Sequence, residues 1–430
     1  MHNRTGWSGK LARCASVASF AALLLANDDR AAAQAVSDAS RFEALRSTIV
    51  SHHVRSVEEL LPFLSPAMRS RFVLVFDSRS AQEASPLNPR VLLFGNDARL
   101  IVSFNGDAGQ RGFNALETME FDDASASFTF REIRFPDGAV SADAEVEFSQ
   151  ANPALCGACH GAPAHPIWDA YPLWPGVYGQ RYQKGLSGQE AEGLSAFAKA
   201  QGTHPRYRHL EGFSADRLSG QLAPTQQRRY SGTLEEPPNE VLSALLGRTM
   251  VAVIEHEVKG AARFNDYRYA LLWSLHAGCG SVSEVLPAAV VSSYTQDFVP
   301  FAQALKTGTR LQASHKLHRM TDAPGTAVSP SADSTLEGFR YLSEQGLGLS
   351  TRHWTLDREQ GGYDLTLQAP LATQLENRLL LDERDPKLSE LREVAEVSSD
   401  VKYCARLRRL SLETLERSET AKTLHVGATS

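Results

Sequence analysis

Cys156, Gly157, Ala158, Cys159 and His160 are the part of this sequence richest in chemistry. Two thiols three positions apart, followed at once by an imidazole, suit three kinds of work. They can add to the two vinyl groups of one porphyrin, with His160 placed to ligate its iron, which is the C-x-x-C-H arrangement of covalent haem attachment. They can cycle as a dithiol and disulfide, or simply stay a structural bridge. Together with His165 they can also be read as zinc ligands, C-x2-C and H-x4-H. The segment of about 12 residues that separates such pairs in a finger is missing, and adjacent Cys159 and His160 meet one tetrahedral ion poorly. A thioredoxin-like pair opens a helix. Asn152-Pro153 before the motif and Gly161, Pro163 and Pro166 after it argue against one here.

The N-terminus supports the haem reading. Arg4, Lys10 and Arg13 precede the short apolar stretch Cys14 to Ala26, and Ala33-Gln34-Ala35 is a small-x-small cleavage site with a mature start at Val36. Asp28, Asp29 and Arg30 make the approach to that site unusually charged. Export places the chain in the periplasm or beyond, where covalent anchoring keeps haem from being lost. It also sorts the five cysteines. Cys14 leaves with the leader, Cys156 and Cys159 go to the haem, and Cys279 and Cys404 remain to pair in an oxidising space.

The motif resembles that of cytochromes c over its five residues. A longer stretch resembles a set of exported bacterial monohaem proteins: Asn152-Pro153, Cys156 to Gly161, Pro166-Ile167-Trp168, Tyr171, and Trp174-Pro175-Gly176 with Tyr178-Gly179. Small cytochromes c differ from this chain. It is several times longer, its motif follows a predicted sheet, and no Met sits in an obvious ligand loop. For the sixth iron position the expectation is His204, in the loop Gly202-Thr203-His204-Pro205. His165 is the strained alternative, since five extended residues span about 17 Å. Met250 and His256 lie on a long helical stretch, where Met250 reads first as core. His209, His276, His315, His318 and His353 have no distinguishing context. Trp168, Tyr171 and Trp174 are expected either to pack on the porphyrin or to pin the loop.

These residues need a scaffold. The 430 residues suggest more than one module, and 42% hydrophobic with 22% charged residues is ordinary for a globular chain. An α+β architecture is expected. After the leader at 1–35, residues 36–150 hold short helices and an antiparallel β-rich meander. A Pro- and aromatic-rich loop spans 151–182, helices 183–320, a linker 321–334, and a mainly helical region 335–430. Phe42, Leu45 and Ile49 mark a helix, and Ser56 to Glu59 a capping box. Gly95-Asn96-Asp97 marks a hairpin, and a phase shift from Phe128 and Phe130 to Ile133 and Phe135 suggests a bulge. Leu242, Leu245, Leu246, Met250, Val253 and Ile254 form a long amphipathic stripe. Tyr363, Leu365 and Leu367 suggest a lone strand.

Charge excludes one class of partner. Cleavage of the leader removes four of the 44 basic and two of the 50 acidic side chains, taking the formal charge from -6 to -8. Nucleic acid is a poor partner for such a chain. No later segment has about 18 uninterrupted apolar residues to cross a membrane. Walker A, G-x-S-x-G and H-E-x-x-H patterns are missing, and Glu255-His256-Glu257 lacks metalloprotease spacing. Asp122-Asp123 and Glu235-Glu236 read as solvated pairs, so no catalytic residue is assigned. The expectation is electron transfer with a redox protein or a small-molecule donor or acceptor. The alternatives are a haem enzyme with an open distal face and a haem-free protein with a Cys156–Cys159 disulfide.

Overall fold

The computed structural model describes residues 42–78, 80–137, 145–168, 176–178, 188–213, 238–276, 278–287, 335–354, 369–380, 386–388, 390–391 and 400–427. The leader, the 321–334 linker, the strand around Tyr363, and Tyr171 and Trp174 of the loop lie outside these residues.

Three short helices open the chain. α1 (Phe42–Ser51) buries Phe42, Leu45 and Ile49. α2 (Val57–Leu60) is capped by Ser56, whose hydroxyl accepts from the Glu59 amide at 3.1 Å. The Glu59 carboxylate reaches the Arg55 amide, one residue before the position a capping box uses. α3 (Pro66–Ser70) starts on a Ser65 cap with Pro at its first turn.

Six antiparallel strands follow in sequential order: β1 (Phe72–Val75), β2 (Arg90–Leu93), β3 (Leu100–Phe104), β4 (Ala115–Asp122), β5 (Ser127–Arg134) and β6 (Glu147–Phe148). The expected meander is present, with β2 and β3 paired across the Gly95-Asn96-Asp97 turn. The expected bulge is not. β4 and β5 keep register without a break from Ala115↔Arg134 to Asp122↔Ser127. Ile133 belongs to the face opposite Phe128 and Phe130, and both faces are buried. One face packs Leu74, Val91, Val102, Phe104, Leu116 and Ile133 against α1 to α3. The other packs Val75, Phe94, Ile101, Met119, Phe128 and Phe130 beneath a long helix further on. A pattern that is apolar on alternate faces in turn looks like a phase shift when only one face is assumed buried. Beyond β1, segment 176–178 runs antiparallel along the strand, with Tyr178 donating its amide to the Leu74 carbonyl at 3.0 Å.

After β6 come α4 (Ala154–His160) and α5 (Gly188–Ala200). α5 lays Leu194 and Phe197 on the first sheet face. α6 (Pro238–Gly260) is the long helix that covers the second, through Leu242, Leu246, Met250 and Val253. The helices α5 and α6 therefore complete the core on the two faces of the sheet. On its other side α6 presents Val251, Ile254 and Val258 to a helical core. That core is built from α7 (Phe264–Leu275), α8 (Thr335–Tyr341), α9 (Ala369–Leu380) and α10 (Asp400–Gly427). α6 carries apolar residues on two sides because it serves two cores, and leaves Arg248 and His256 exposed on the side between them. In α7, Tyr269 to Leu272 are all buried, so this helix is the axis of the helical core. The architecture is α+β, and no helix among the described residues is long and apolar enough to cross a membrane.

Candidate haem-attachment site

The motif lies on α4, not in an irregular loop as its flanking prolines suggested. Pro153 stands at the N-cap, outside the helix, and its carbonyl accepts the Cys156 and Gly157 amides. The next prolines come after Gly161, where the helix has ended. Asn152 sets the entry. Its backbone N–H donates to the Phe130 carbonyl and its side-chain oxygen accepts from the Phe130 amide, both at 2.8 Å. The same Phe130 stacks its ring on His160 at 3.9 Å between centroids. One residue of β5 thus fixes both ends of the helix.

The exit is fixed by a closed turn. Gly161 has φ +73°, and a Cβ there would meet the His165 ring at 3.1 Å, so the position requires glycine. The His165 amide donates to the His160 carbonyl at 3.1 Å, and His160 Nδ1 donates to the His165 carbonyl at 2.8 Å. A carbonyl can only accept, so Nδ1 carries the proton and the lone pair sits on Nε2. That is the tautomer of a histidine ligating through Nε2 with its other nitrogen held by a backbone carbonyl. His165 occupies the Nδ1 side of His160 and turns its own Nδ1 to the Pro163 carbonyl at 3.2 Å. It does not make the long reach around a porphyrin edge.

The outer side of α4 is apolar and exposed. None of its residues is buried, and Leu155 is 59% exposed. Cys159 is exposed, Cys156 is half-buried against the second sheet face, and their sulfurs are not joined to one another. Two thiols one turn apart, an apolar exposed turn and an imidazole held through its Nδ1 fit a covalently held porphyrin. The electrostatics oppose a dithiol redox role. Burial pushes the Cys156 thiol up to about 11, helped by Glu117, Glu132 and Cys159. A reactive thiol needs the opposite shift. Glu117 and Glu132 are directly opposite on β4 and β5. Their repulsion is offset by Arg90, 2.5 Å from Glu117, and Arg134, 3.0 Å from Glu132.

His204 is not in this site. It stacks on Tyr207 in the core of the first sheet face, while His160 lies against Phe130 on the second. Its Nε2 donates to the Gly106 carbonyl at 3.1 Å, and its Nδ1 accepts from the Arg206 and Tyr207 amides. Both nitrogens are committed to backbone, and the residue expected as sixth iron ligand stands apart from the motif in this structure. Met250 is fully buried core, and His256 is exposed. Trp168 takes the pinning role of the two expected. It is buried on the second sheet face and donates its indole N–H to Ser243 of α6 at 3.0 Å. Beside the motif lies a group that sequence spacing gave no reason to join. The His353 and His165 rings are 6.4 Å apart. Glu257 holds His353 Nε2 at 2.7 Å and accepts the Trp354 indole N–H through its other oxygen. Burial and the neighbouring His353 hold His165 below the usual imidazole value, against the pull of the Pro163 carbonyl.

No protein family, curated protein or solved structure matches this chain.

Proposed function

We propose that this protein is an exported, cytochrome c-like electron carrier that binds one haem through Cys156 and Cys159, with His160 as the proximal iron ligand. The observation that carries the reading is the pairing of two unbonded thiols one turn apart with an imidazole whose Nδ1 is held by the His165 carbonyl. When bound, haem supplies one-electron cycling between ferric and ferrous iron. The chain's own residues orient that chemistry. Phe130 and the His165 carbonyl fix the ring of His160, and the carbonyl contact raises its basicity as a ligand. The exposed face of α4 gives a route for electrons to a partner protein or a small-molecule acceptor.

The test is expression in a host with cytochrome c maturation. The haem signal should survive a denaturing gel and vanish in Cys156→Ala/Cys159→Ala. His160→Ala should remove the native spectrum even where a thioether persists. Wild-type chain isolated without haem from such a host would overturn the reading. Low-spin bands support electron transfer, whereas high-spin bands with carbon monoxide binding would move the assignment to a haem enzyme.

A further inference from the structure

Away from the motif, the end of α7 meets the start of α10 at a second group of soft ligands. One ring nitrogen of His276 and the sulfurs of Cys279 and Cys404 lie within 4.8 Å of one another. His276 caps α7, and its carbonyl accepts the Cys279 amide at 3.1 Å. Cys404 is on the first turns of α10 and joined to Cys279 in a disulfide. His276 is oriented from behind. Its Nδ1 is 3.0 Å from the Glu376 carboxylate, which is itself held by the Tyr403 hydroxyl at 2.8 Å. A carboxylate that fixes one imidazole nitrogen so that the other faces a ligand set is the outer arrangement of zinc histidines. Asp400 stands 3.8 Å from His276 Nε2 with a largely exposed side chain, and Gly278 lets it approach, since a Cβ there would sit 3.0 Å from Asp400.

We propose that reduction of the Cys279–Cys404 disulfide turns this group into a zinc site, with His276, Cys279 and Cys404 as ligands and Asp400 or water in the fourth position. Zinc accepts this mixture of thiolate, imidazole and carboxylate in tetrahedral geometry. A dithiol reductant supplies two electrons and two protons, breaks the S–S bond and leaves as its own disulfide. Zinc binding then expels the two thiol protons. The sulfurs that fasten α7 to α10 directly when oxidised fasten them through the ion when reduced, so the helical core keeps a cross-link in either state.

The test uses the full chain carrying Cys156→Ser and Cys159→Ser. These changes remove the other thiols near a histidine and make the result independent of haem. A phosphine reductant opens the disulfide without competing for metal, and Co2+ replaces zinc as a visible probe. The reduced chain should bind one Co2+ with thiolate-to-cobalt charge-transfer bands and tetrahedral d–d bands, and zinc should displace it. The oxidised chain should show neither band. Glu376→Gln should weaken zinc binding by about 10–100-fold while leaving both thiols titratable, and His276→Ala should weaken it further. Three results would overturn the proposal: no charge-transfer band in a reduced chain that keeps its helical circular dichroism, loss of that helical signal on reduction, or binding indifferent to His276→Ala.

Discussion

Replacing Cys279 and Cys404 together by Ala tests how far the helical core depends on its cross-link. The bridge joins Cα atoms 5.4 Å apart and closes 125 residues of sequence. A loop of that length in the unfolded chain corresponds to about 4.9 kcal/mol of closure entropy at 25 °C. That figure is a ceiling. α7 and α10 remain packed without the bridge through Tyr269, Leu272, Tyr403 and Leu407, and residual contacts in the unfolded chain close part of the loop in advance. A loss of about 2–4 kcal/mol is expected, in line with measured bridges. The assay is urea unfolding followed by helical circular dichroism, with a chelator present so that metal cannot substitute for the bond. The variant should unfold at lower urea and with a steeper dependence, because its unfolded chain exposes more surface. Reduced wild-type chain should behave like the variant. A difference below about 0.5 kcal/mol would refute the loop argument, and reduced wild-type chain as stable as oxidised would show that the sulfurs are not joined.

Three further outcomes are expected. The Arg206 guanidinium, 1% exposed, is 2.6 Å from Glu58 and also donates to the Asn105 and Phe113 carbonyls. Because Glu58 is partly exposed and those carbonyls stay, Glu58→Gln should cost about 2 kcal/mol, below the range for fully buried pairs. Burial pushes the Glu58 carboxyl up, but Arg206 pulls it below its ordinary 4.5. Its stabilisation is therefore complete above 4.5 and lost as pH falls through the lowered folded value; acid unfolding of the Gln variant that still steepens across that window would sink the assignment. His204→Ala should destabilise the sheet core by about 1–3 kcal/mol and leave the absorption spectrum of haem-loaded protein unchanged; a shift to high spin would restore His204 as a ligand. In haem-free chain the Cys156 thiol is pushed up to about 11, so its alkylation rate should climb with pH up to that value, and a plateau below pH 9 would contradict the burial described.

Much of the scaffold was legible because its signals are local. Ser56 and Glu59 gave a helix start, Gly95-Asn96-Asp97 a hairpin, and the stripe from Leu242 to Ile254 a long helix. Cysteine elimination found the Cys279–Cys404 bridge. The prolines around the motif misled because only their position relative to the first turn matters, and both sides fall outside α4. The surroundings of His204 were hidden for a different reason. A histidine in a polar loop looks available, but its nitrogens are satisfied by Gly106, Arg206 and Tyr207, and Gly106 is 98 positions away. The meeting of Glu257 with His353 and Trp354 spans 96 and 97 positions and has no sequence period to betray it.

The segment 176–178 along β1 has a consequence during synthesis. β1 is four buried apolar residues in a row, with hydrogen-bonding groups facing outward on the side away from β2. An open strand of that composition is a template for pairing with other chains. Its covering strand, with Val177 and Tyr178 fully buried, arrives about a hundred residues later. At about 5–20 residues per second, the sheet on a growing chain stays adhesive for on the order of ten seconds. The number of residues between a strand and its cover thus sets how long that edge stays open to other chains.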